Sequence, residues 1–291
     1  MKRKNYSPHT TKNYLHRLQR FLVWISVSVE SVSSEDVKDY LDTLLGKQLS
    51  SQTINGHLIA IRSFYSYLID EEKRHLENPA VKGMALRLSK PLPRHLRDDD
   101  VVIFFGSVTR PRDIAIFMLM LRCGLRVEEV ANLTLDVIDY RRNQIMVRSG
   151  KGAKDRVVYI SNDAADALTV YLRKRVQTNE QQVFLVEKGL CKGKPISVRG
   201  IQKRIEYYSR QSGIPASCHQ LRHTMATQLL NADADLVTIQ DLLGHARIKT
   251  TMRYCKLSNL KAQRDYYKAI SKVMEKSGFN VTETGCSNPP R

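Results

Sequence analysis

Residues 89–97 read Ser-Lys-Pro-Leu-Pro-Arg-His-Leu-Arg, and no other stretch constrains the fold as strongly. Pro91 and Pro93 lack amide donors, fix their own φ, and push their predecessors out of the helical region. A helix cannot run through this segment, and the basic side chains around the prolines favour an extended, solvated linker. The chain of 291 residues also exceeds the common size of one domain. Two domains are therefore expected, over 1–88 and 98–277, joined by a basic linker at 89–97. The tail at 278–291 is rich in turn formers and is expected to be disordered.

The first domain reads as all-helical. Over 8–25, Tyr14, Leu18, Phe21, Leu22 and Ile25 fall on one stripe at helical spacing. Ser34 looks like the N-cap of a short helix ending near Leu45. A third helix is expected over 51–70, where Ile54, Leu58, Ile61, Tyr65 and Leu68 recur at three- and four-residue intervals. A fourth, shorter one is expected between Pro79 and Leu88. The second domain opens with helices at 98–107 and 111–123. Two β-rich stretches, 144–147 and 156–160, then flank a Gly-rich basic turn and read as a hairpin. Helices resume near Asn162 and dominate to about Ser277. The fold class is thus mainly α with a small β-hairpin or sheet in the second domain, an α+β arrangement.

Lys and Arg total 47 against 29 Asp and Glu, a formal net charge of +18. Such a surface attracts polyanions, of which nucleic acid is the commonest in a cell. The five cysteines are scattered, with no Cys-x-x-Cys pair. They suit reduced thiols rather than a disulfide framework or a zinc ribbon. The N-terminus carries no apolar signal core, and no apolar run reaches the ~20 residues of a membrane span. A soluble cytoplasmic protein with no membrane partner, associated with the nucleoid, is the expectation.

Four short motifs stand in order: CGLRVEEV at 123–130, SGKGAKDR at 149–156, CHQLRH at 218–223 and LLGHARIKTTMRY at 242–254. Singly each suits a surface charge, a turn or a packed ring. Together they supply what metal-free phosphodiester cleavage needs. Two guanidiniums can clamp the non-bridging oxygens, on which negative charge accumulates. A tyrosine can attack and keep the bond energy in a covalent link. A lysine on a flexible turn can protonate the leaving oxygen, and histidines can move protons near neutral pH.

This set resembles the catalytic signature of the tyrosine recombinase, or phage-integrase, family, and its spacing is similar to the Xer-like branch. The resemblance places the family's first arginine on Arg126, its hairpin lysine on Lys151 and its His-x-x-Arg box on His219 and Arg222. It places a further histidine role on His245 and the nucleophile on Tyr254. Glu129 resembles an acidic residue that supports the site. The 1–88 helices resemble the family's core-binding, DNA-binding domain, and 98–277 its catalytic domain. The implied activity is site-specific recombination, in integration, excision or resolution, through a 3′-phosphotyrosyl intermediate and without metal, ATP or other cofactor. The implied partners are double-stranded DNA with paired half-sites and, on synapsed DNA, a homotetramer of chains that are monomeric when free. A helix over 258–275, with Leu260, Tyr267, Ile270 and Met274 on one side, would then pack into a neighbouring protomer.

Other readings stay open at this point. The chemistry also suits a type IB topoisomerase that relaxes supercoils, and the charge suits a non-catalytic DNA-binding protein. Lys154 rivals Lys151 as the acid. His223 fits the core side of its helix, and zinc is disfavoured because Cys218, His219 and His223 lack a second ligand pair. Tyr266 and Tyr267 lack the upstream Leu-Gly-His and read as helix packing.

Overall fold

The computed structural model describes residues 8–88, 94–148, 155–244, 251–252, 266–267 and 269–271. The chain divides into two compact units, residues 1–91 and 92–291. Among the described residues no helix is long and apolar enough to cross a membrane.

The first unit holds α1 (Pro8–Trp24), α2 (Ser34–Gly46) and α3 (Ser51–Asp70). The helix expected to begin with a Ser34 cap is capped one residue earlier. Ser33 accepts from the Asp36 amide, while the Asp36 carboxylate accepts from the Ser33 amide, a reciprocal box that satisfies two orphan donors. Phe21, Ile54, Leu58, Ile61 and Tyr65 form the core. His57 is buried among them, with its Nδ1 2.9 Å from the Tyr40 hydroxyl. Burial, and the nearby Arg17 and Arg20, push this imidazole down to about 4.

No helix forms between Pro79 and Leu88; the residues make turns. Side chains of α3 take the backbone groups that a helix would have used internally. The Arg62 guanidinium donates to the carbonyls of Ala80 and Val81. Asn55 accepts from the Leu86 amide and donates to its carbonyl.

The second unit starts with α4 (Asp98–Ser107) and α5 (Pro111–Arg122), followed by a short α6 (Val127–Ala131) that the periodicity did not reveal. Leu96, within the proline-rich stretch, is already buried in this unit, and its amide donates to Thr224 Oγ1. The expected hairpin, β2 (Gln144–Val147) and β3 (Arg156–Tyr159), gains a third antiparallel strand, β1 (Ile138–Asp139), too short to show any alternation. Ile145 sits opposite both Ile138 and Val158 on the buried face. Met146, Val157 and Tyr159 point outward.

Helices α7 (Asn162–Lys174), α8 (Val198–Ser212), α9 (Cys218–Asn231) and α10 (Leu236–Leu243) complete the unit. Helix does not dominate without interruption, because 175–197 is irregular. Arg175 satisfies the carbonyls of Val183, Glu180 and Gln182 in place of a ladder. Phe184 stacks on Tyr171 at 5.3 Å and ties the segment to the core. Tyr266 and Tyr267, read from sequence as packing residues, are 61% and 59% exposed. Their rings meet each other at 5.5 Å.

A buried ionic network joins α5 to α8. Asp113, fully buried, accepts from Arg112 Nε and Nη2 at 2.9 and 2.8 Å, from Arg204 Nε at 2.7 Å and from the Tyr208 hydroxyl at 3.2 Å. Arg112 also reaches the Leu185 carbonyl in the irregular segment. Removing the carboxylate would take from the Arg112 and Arg204 guanidiniums the counter-charge they share. Asp113→Ala is expected to destabilise the second unit by ~3–5 kcal/mol. Urea unfolding, followed by a probe in that unit, measures the loss; a change within ~0.5 kcal/mol, the scale of ordinary surface substitutions, would refute the network's role.

Candidate phosphate-binding site

The site begins with a helix end. Helix α10 is capped at its start by Asp235, which accepts from the amides of Val237 and Thr238. At its other end the last carbonyls have no partner inside the helix, and they carry the negative end of the helix dipole. Three arginines from distant parts of the chain take them one each. Arg156 Nε donates to the Leu242 carbonyl at 2.9 Å. Arg222 Nη2 donates to the Leu243 carbonyl. Arg126 Nη2 donates to the Gly244 carbonyl at 3.1 Å.

Two glycines make this convergence possible. Gly244 turns the chain left-handed with φ +59°. A Cβ there would lie 3.1 Å from Arg156 Cδ and Nη1. Gly124 also has a left-handed φ of +64°, ending α5 and presenting its carbonyl to Arg222 Nη1. A Cβ at 124 would press on Leu243 Cδ2 and Met225 Sδ, both at 3.1 Å.

Glu129 organises the arginines from within. Its carboxylate accepts from Arg156 Nη1 and Nη2 at 2.8 and 2.7 Å. It also accepts from the Arg126 amide at 2.7 Å and from Arg126 Nη1 at 2.8 Å. Burial would raise this carboxyl, but the hydrogen bonds from Arg156 and Arg126 outweigh it and hold the group down at about 2. Glu129 thus bridges two guanidiniums, those of Arg156 and Arg126, while Arg222 stands at the same helix end on carbonyls alone.

Of the residues singled out from sequence, Arg126, His219 and Arg222 line a single groove of about 540 Å³, together with Arg199 and Gln202 of α8 and the cap residue Ser217 of α9. Arg126 is 37% exposed, so it can reach a ligand, whereas Arg222 is 3% exposed and held from behind by carbonyls. His219 lies exposed in the first turn of α9. His223 does not face the core as expected. It is partly exposed, and its ring meets His219 edge-on at 4.1 Å. Lys151, His245 and Tyr254, together with the rival Lys154, lie outside the described residues. The two cysteines beside the motifs are poor nucleophiles, since burial pushes the Cys123 thiol up to about 12 and that of Cys218 up to about 11.

Arg156 was given no role on sequence grounds. A signal existed: at strand periodicity it shares a face with Val158 and Ile160, both buried. A charged residue on an inward face requires a partner, and Glu129 is that partner.

The chain matches two family models: the phage integrase family over residues 97–261, and the phage integrase N-terminal SAM-like domain over residues 1–72. It is 33% identical over 273 residues to the tyrosine recombinase XerA of Thermococcus kodakarensis, covering 92% of each chain. It is 30% identical over 286 residues to the tyrosine recombinase XerC of Staphylococcus haemolyticus, covering 94% of this chain and 95% of that one. Among solved structures, a XerA recombinase superposes with a TM-score of 0.55 at 26% identity, over 92% of this chain and 95% of that one.

The depressed carboxyl sets a pH signature. With Glu129 at about 2 in the fold against an ordinary 4.5, its ionised form contributes on the order of 3 kcal/mol above pH 4.5. That contribution fades as the pH falls from 4.5 toward 2. Glu129→Gln is therefore expected to be less stable at pH 7 and to lose much less stability between pH 5 and pH 3 than the parent chain. Parallel acid-unfolding slopes in chemical denaturation would contradict the pairing.

Proposed function

The chain belongs to the phage integrase family and is a site-specific DNA recombinase, an enzyme that cuts and rejoins DNA; on that premise we propose how its residues divide the work. Arg126, Arg222 and His245 hold the scissile phosphate. Tyr254 attacks the phosphorus, His219 assists with the proton, and Lys151 protonates the departing 5′-oxygen. The product is a 3′-phosphotyrosyl link, which a 5′-hydroxyl from the partner duplex later attacks. The link conserves the energy of the broken phosphodiester, so rejoining needs no nucleotide hydrolysis. The observation that carries this reading is the convergence of Arg126 and Arg222 on neighbouring carbonyls of one helix end, beside His219 along one groove. Donors fixed before the reaction cost no reorganisation when charge develops on the phosphate oxygens.

In this reading residues 1–88 bind the duplex, 98–277 carry the chemistry, and 89–97 link them. The DNA carries paired half-sites. The protein acts in the cytoplasm at the nucleoid, as a monomer when free and as a homotetramer on synapsed DNA. The segment over 258–275 docks on a neighbouring protomer, and the wide exposure of Tyr267 supports that idea, because a large ring left in water forgoes ~1.5 kcal/mol or more of burial energy.

Tyr254→Phe keeps the ring and removes the attacking oxygen. Half-site binding is expected to persist while the covalent protein–DNA adduct disappears from denaturing gels; an adduct formed by the Phe variant would dismiss Tyr254 as nucleophile. Truncation from Ser258 onward is expected to leave single half-site binding intact and to abolish cooperative binding to paired half-sites and strand exchange. A truncated chain that unfolds or aggregates without DNA would assign that segment to its own core.

A further inference from the structure

Arg156 is too enclosed to serve as a DNA anchor. Its side chain is 8% exposed, and Nε, Nη1 and Nη2 all donate inward, to the Leu242 carbonyl and to both oxygens of Glu129. It stands on β3 and touches two of the pieces that hold Arg126. One is Glu129, which binds the Arg126 amide and guanidinium. The other is the end of α10, whose Gly244 carbonyl accepts from Arg126.

We propose that Arg156 is a positioning residue for DNA cleavage, holding Glu129 and the end of α10 so that Arg126 is aimed at the scissile phosphate. The inference rests on the reading that Arg126 binds that phosphate. Two physical effects run through the contact. The bidentate bond fixes the rotation of the Glu129 carboxylate, and with it the direction of Arg126 Nη1. The same bond shares the carboxylate's charge between two guanidiniums. Without Arg156 the whole negative charge would fall on Arg126 and compete with the phosphate for it.

The test uses the full chain and a half-site duplex, with single-turnover cleavage and binding measured separately. Arg156→Gln is expected to slow cleavage by between about 10- and 100-fold, the range seen when outer partners that orient a functional ligand are removed. Half-site affinity should stay near that of the parent chain. The same variants are then assayed on a duplex carrying a neutral methylphosphonate at the scissile position. That centre has one anionic oxygen fewer to balance, so a defect in aiming Arg126 matters less there. The Arg156→Gln deficit is expected to shrink by about the same factor as that of Arg126→Ala. A deficit equal on both substrates, with that of Arg126→Ala shrinking, would show Arg156 to be only structural and overturn the inference. A deficit of Arg126→Ala that fails to shrink would remove Arg126 from the phosphate and take the inference with it. Arg156→Lys, whose single ammonium can satisfy Glu129 or the Leu242 carbonyl but not both in the same geometry, is expected to recover part of the rate. It carries the same comparison should Arg156→Gln fail to fold.

Discussion

The carboxyl end of one short helix holds the rest of the site in place. Helix α10 leaves three consecutive carbonyls for others to satisfy, and an arginine from each of three distant segments takes one. Each bond meets two needs. It satisfies a carbonyl that would be costly to leave unpaired, and it fixes the direction of a guanidinium. Because the partners are backbone atoms at the end of a helix, the cations cannot drift independently. Glu129 adds the only carboxylate hydrogen-bonded to these arginines among the described residues, enough to order the cluster without neutralising it.

A second charged network, around Asp113, does the opposite. There one buried carboxylate takes two guanidiniums and a phenol. Asp113 binds structural elements together, whereas Glu129 leaves a cationic surface available. Relative exposure separates the two: Arg112 and Asp113 lie almost wholly inside, while Arg126 opens onto a groove.

Much of this was legible in the sequence, for identifiable reasons. Long stripes at helical spacing located α1 and α3 well, because core burial and the helical repeat act on the same residues. The Gly-rich basic turn between two β-rich runs located β2 and β3. What escaped was decided by partners far along the chain. The stretch 79–88 is not helical because Asn55 and Arg62 claim its backbone groups, and nothing local announces that. Helix α6 is too short to show a period, and β1 has only two residues. Arg126 and Arg222 were picked out by the resemblance of their motifs to the family's, but Arg156 looked like one more charge in a basic hairpin until its inward register was set against Val158. His223 was misread because a ring at helical spacing does not reveal whether its face meets a core.

The bond between Arg126 and Gly244 closes a separation of 118 residues, and that between Arg222 and Gly124 one of 98. Contacts of this span can form only once the loops between them have closed, at an entropic cost that grows slowly with their length. During synthesis the chain emerges from its N-terminus, and the first unit can fold while α10 is still unmade. A nascent or truncated product ending before 242 would therefore keep whatever surface its first unit presents yet possess no ordered arginine cluster.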